Sequence, residues 1–108
     1  QLKQAEQALE QARLRVELEV RNAYDALQAA AAQVPLREAA AELAAEQLRI
    51  TQLRFEAGTI TSLDVTEAQQ KAFEAQVSVL NALFDYRISL ARFLQAAQLD
   101  GLAGTVTD

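Results

Sequence analysis

The strongest punctuation in this 108-residue chain is one short stretch, Glu56-Ala57-Gly58-Thr59-Ile60-Thr61-Ser62, set between two long helical patterns. Gly58 suits the left-handed position that closes a helix, because it has no Cβ to clash. Thr61 or Ser62 can cap the next helix by accepting an orphan backbone N–H. Thr61-Ser62-Leu63-Asp64 also has capping-box spacing, with Asp64 three residues past the cap. Two helices joined by a turn are the plain reading.

The rest of the composition agrees. Ala occurs 23 times and Gln 13 times, whereas there are three Gly and one Pro. Such a balance belongs to long helices rather than sheets. The spacing predicts one 1–108 hairpin segment: a long helix over about 2–57, a turn over about 58–61, a return helix over about 62–97 and an irregular tail over 98–108. The two helices would run about 84 Å and 54 Å. Gly101 and Gly104 mark the expected tail. Pro35 removes a hydrogen bond inside the first helix, which predicts a kink or bulge near residues 31–34, with a complete break as the alternative.

Each helix carries two apolar stripes. In the second, Val65, Ala68, Ala72, Val79, Leu83, Tyr86, Leu90, Leu94 and Ala97 form one, and Phe73, Val77, Leu80, Phe84, Ile88 and Ala91 the other. In the first, Leu36, Ala40, Leu43 and Ile50 run beside Ala41, Ala44, Leu48 and Phe55. A two-helix coiled coil needs a single seam. Two seams imply neighbours on two sides, as in a bundle or a closed wall of helices.

Antiparallel pairing about residues 59–60 puts residue i opposite roughly 119 − i. Tyr24 then lies near Leu94 and Gln95, and residues 1 to about 21 overhang without a partner in the chain. The overhang holds Leu2, Leu9, Leu14, Val16, Leu18 and Val20, an apolar surface that calls for another chain or another part of a larger protein. Leu2, Ala5, Leu9, Ala12 and Val16 show the helical pattern already under way at the first residues, so the chain reads as a segment of a longer parent.

Chemistry is thinly represented. There is no His and no Cys, hence no zinc site of the usual kind, no thiol or imidazole nucleophile and no Ser-His-Asp triad. A net charge of −5 argues against a nucleic-acid surface. Asp64 and Glu67 stand one turn apart and could supply at most two metal ligands, with no Gly-rich phosphate cradle nearby. The expectation is a non-enzyme with no cofactor and no metal.

Leu53-Arg54-Phe55-Glu56-Ala57-Gly58-Thr59-Ile60-Thr61-Ser62-Leu63-Asp64-Val65-Thr66-Glu67-Ala68-Gln69 strongly resembles the periplasmic tip of the second repeat in the outer-membrane efflux (TolC) family. Asn22-Ala23-Tyr24 and Ala82-Leu83-Phe84-Asp85-Tyr86 resemble two flanking segments of that family, in the same order and spacing. The resemblance implies an all-α, coiled-coil-like antiparallel helical hairpin, a piece of a trimeric α-barrel tunnel. The parent would be the outer-membrane channel of a tripartite efflux or type I secretion system, and this segment its periplasmic portion. Membrane contact would come only through parts of the parent outside this chain.

Implied partners are further copies of the chain (a trimer in the parent, a dimer or other oligomer for the segment alone), a periplasmic adaptor protein and an inner-membrane pump. Arg54, Gly58, Thr59, Ile60, Thr61 and Ser62 become candidates for the adaptor-facing tip. Asp64 and Glu67 match acidic positions that line the channel entrance in members of the family, although a carboxylate at a helix N-terminus also stabilises the helix by itself. Ile60 departs from members that carry Arg there to hold the tip closed; an apolar residue could instead pack into an adaptor groove. The alternative function is a structural coiled-coil hairpin, such as an adaptor or scaffold module.

Overall fold

A computed structural model describes residues 2–107, with side chains as far as residue 101. It is an all-α helical hairpin: α1 spans Leu2–Glu56, α2 spans Ser62–Thr107, and no strand occurs among the described residues. Residues Ala31–Asp85 form one compact unit; α1 up to Ala30 forms another with α2 from Tyr86.

Several boundaries differ from expectation. α2 does not stop near residue 97 but continues to Thr107, so most of the expected irregular tail is helical; Asp108 lies outside the described residues. Gly101 lowers helix propensity by about 1 kcal/mol relative to Ala without obstructing the backbone, and no Pro follows to stop the chain. Gly58 is the one residue with a left-handed φ, +79°, among those described. Pro35 lies inside α1, yet the α-helical pattern runs through residues 31–34 without a break or bulge.

In the Ala31–Asp85 unit the half-buried residues of α1 are Val34, Ala41, Ala44, Leu48 and Thr51. Those facing them on α2 include Val65, Ala68, Ala72, Ala75 and Val79, together with Ala82, which at 5% exposure is the one buried residue among those described. The steps alternate between three and four, the 3.5-residue repeat of paired helices. Most of the inner residues are Ala, so backbones approach closely while each contact buries little area.

The same repeat continues in the other unit through Val16, Val20, Ala23, Leu27 and Ala30, and through Tyr86, Ser89, Phe93 and Ala96. Tyr24 meets Phe93, with ring centroids 5.7 Å apart, rather than Leu94 or Gln95. The register is shifted because α1 closes at Glu56, which moves the centre of the turn toward Gly58. Tyr24 keeps its hydroxyl at the polar surface, where it accepts a 2.8 Å bond from Gln28 Nε2.

The seam of α2 also corrects the expected stripe. Leu83 and Leu94 are exposed, and the adjacent Ala82 and Phe93 take the inner positions. Beyond Val79 the 3.5-residue repeat calls for a step of three, whereas the larger Leu lies a step of four away. The overhang is shorter than expected as well. Asp100, on the extended α2, lines one groove with Glu17, Val20 and Arg21, so α2 reaches alongside these residues. Residues 2–15 are all exposed, with Leu2 at 80%.

The second stripe of each helix faces outward. Leu36, Leu43 and Ile50 are exposed on α1, and Phe73, Val77, Leu80, Phe84 and Ile88 on α2. No helix is long and apolar enough to cross a membrane among the described residues.

Candidate functional site

The tip is built by two interlocking caps. At the end of α1, the Gly58 N–H donates to the Phe55 carbonyl at 2.9 Å and the Thr59 N–H to the Arg54 carbonyl at 3.0 Å. This pair of bonds is the Schellman closure, which the left-handed Gly58 makes possible. Thr59 Oγ1 adds a second donor to the Arg54 carbonyl at 3.0 Å. At the start of α2, both the backbone N–H and the hydroxyl of Thr61 donate to Asp64 Oδ2, each at 3.2 Å. Thr61 is therefore the N-cap, and Ser62 opens the helix.

Between these caps and the first turns below them lies a groove of about 540 Å³. α1 contributes Gln47, Ile50, Thr51 and Arg54; the turn contributes Ile60; α2 contributes Asp64, Glu67, Ala68 and Lys71. Its apolar floor comes from Ile50, Ile60 and Ala68, and two cations and two carboxylates surround it. The spacing explains why they converge, since positions 47, 50, 51, 54 and 64, 67, 68, 71 each lie on one helix face.

The structure thus brings Arg54, Ile60, Asp64 and Glu67 together. Gly58, Thr59, Thr61 and Ser62 sit on the exposed turn instead. Ile60 is half-buried and lines the groove, so it completes a surface of this chain rather than standing clear of the turn. Gln47, Ile50, Thr51, Ala68 and Lys71 were not anticipated. Their signal was the three- and four-residue spacing from Arg54 and Asp64.

The one ion pair among the described residues lies outside this groove, between Arg49 and Glu46 at 2.5 Å. The Arg49 hydrogen bond holds the Glu46 carboxyl below its ordinary range; desolvation opposes it, and the Arg49 charge adds to it. No group of three or more potential metal ligands occurs among the described residues.

A hairpin with one seam inside, a second apolar stripe outside and a polar capped tip belongs to the class of long antiparallel helical hairpins. The family model of the outer membrane efflux protein matches residues 1–97, and the chain belongs to that family. No curated protein and no solved structure matches it. The family is one of non-enzymatic transport, and the chain is part of an outer-membrane efflux channel.

Proposed function

We propose that this hairpin forms part of the periplasmic tunnel of a trimeric outer-membrane channel, in a tripartite efflux or type I secretion system. Its tip faces the periplasmic adaptor, which links the channel to an inner-membrane pump. Substrates pass without chemical change, so the work of the segment is packing and charge placement. The observation that carries this reading is the exposed α2 stripe, with Phe73 at 67%, Leu80 at 65% and Phe84 at 65% exposure. A wall of helices covers that stripe with the next helix, while the Ala-rich seam holds the hairpin itself.

At the tip, Arg54, Ile60 and the exposed turn Gly58-Thr59-Thr61-Ser62 form the adaptor-facing surface. Asp64 and Glu67 are the entrance acids. One oxygen of Asp64 serves the N-cap, yet its charge stays at the tip, so the structural and electrostatic roles coexist. Three symmetry copies would concentrate negative charge and favour cations at the entrance. In the full channel in a planar bilayer, Asp64→Asn with Glu67→Gln is expected to weaken cation selectivity and block by multivalent cations. Unchanged single-channel behaviour would remove the entrance role.

A further inference from the structure

We propose that Arg37 and Ser78 set the stagger of α1 against α2, and through it the alignment of the two walls of the tip groove. The seam around them is built mainly of small apolar side chains. Val34, Ala41 and Ala44 on α1 meet Ala72, Ala75, Val79 and Ala82 on α2. Such a surface discriminates only weakly between neighbouring staggers, because apolar contact is non-directional and most of the side chains are small. Something directional has to choose among the staggers.

Arg37 is placed to do so. It stands, exposed, at the seam position between Val34 and Ala41 in the 3.5-residue repeat, where each of the other positions from Val16 to Thr51 is half-buried and apolar or Thr. Its Nη1 donates to Ser78 Oγ, and this is the one side-chain hydrogen bond joining α1 to α2 among the described residues. Its Nε lies 3.5 Å from Gln33 Oε1, one turn back on the same helix, which holds the guanidinium in line. A polar residue at a single seam position specifies register in paired helices because slippage leaves it without its partner. The tip caps hold the helices at the turn, and Arg37–Ser78 gives a second fixed point about 30 Å along α1. Between those two points the groove walls, Gln47 to Arg54 and Asp64 to Lys71, are held in phase.

The full chain contains no Cys, so nitroxide labels can be placed solely at Glu42→Cys and Gln76→Cys, two positions that line one groove. Electron–electron double resonance, with the labelled chain diluted into unlabelled chain, reads the stagger. The parent sequence is expected to give one narrow distance. Arg37→Leu, which keeps the seam filled with an apolar side chain, and Ser78→Ala are each expected to add a second population displaced by less than one helical turn, about 5.4 Å, because the tip caps still hold the helices at the turn. Ser78→Thr retains the hydroxyl and is expected to restore the single distance. A wild-type distribution in either Arg37→Leu or Ser78→Ala would overturn the proposal, as would a Ser78→Thr distribution split like that of Ser78→Ala.

Discussion

The inner seam and the outer stripe of α2 differ in a direction opposite to that of an ordinary globular core. Inside, between Val65 and Ala82, the positions are mostly Ala, and the most buried is Ala82 at 5% exposure. Outside, Phe73, Leu80 and Phe84 stay about two-thirds exposed. Burying a Phe or Leu side chain contributes about 1.5–3 kcal/mol, far more than an Ala can. Much of the hydrophobic stabilisation encoded in α2 is therefore left unrealised within the hairpin. The small inner residues bring two helices close; in the proposed reading, the large outer ones join hairpins to one another.

The largest expected effect comes from removing the outer half of this contrast. Phe73→Gln, Leu80→Gln and Phe84→Gln together keep helix propensity and delete the stripe. Association of the chain should weaken by at least about 3 kcal/mol, roughly a hundredfold in Kd. The thermal midpoint should lose its dependence on protein concentration, while far-UV circular dichroism still reports helix at low temperature.

Disturbing the inner half should instead act on the hairpin itself. Ala82→Phe forces a large ring into a close contact and is expected to cost about 1–3 kcal/mol in chemical denaturation. The turn that creates both faces is next. Gly58→Ala places a Cβ on a backbone at φ +79° with no neighbouring atom within 4 Å, so its cost, about 1–2 kcal/mol, is backbone strain alone. Asp64→Ala removes the acceptor of both Thr61 bonds, with a smaller loss of about 0.5–1 kcal/mol.

The smallest effect belongs to a pair in neither region. Glu46 has a lowered pKa, so its contribution is present above its unfolded value and is lost as pH falls through the folded one. Because both partners are well exposed, acidification through that range should not shift the melting midpoint of wild type relative to Glu46→Gln. A clear difference between the two melting curves would show that the Arg49 pair matters more than its exposure allows.

Much of the hairpin was legible because its signals are local. Gly58 needs a left-handed backbone, and Thr61 with Asp64 carries a cap within one turn of chain. Ala41, Ala44 and Leu48 also stood out as one of two stripes on α1; the structure makes theirs the inner one, although Phe55 of the same stripe is exposed. The inner face of α2 was harder, since Leu83 and Leu94 look more core-like than Ala82 and Phe93 by size or sequence step. Pairing geometry, rather than hydrophobicity, decides there. Gly101 resembled a stop signal, but a helical backbone accepts Gly at modest cost, and the longer α2 then shortened the overhang. At the tip, Arg54, Asp64 and Glu67 stood out by charge beside the turn. Gln47 and Lys71 did not, because they reach the groove from the third turn of each helix.

Sedimentation equilibrium of the isolated chain tests the central claim, that the outer stripe is an interface in waiting. The account predicts a mass above that of one 11.8 kDa chain, rising with concentration into the high micromolar range. A monomer throughout that range would contradict it.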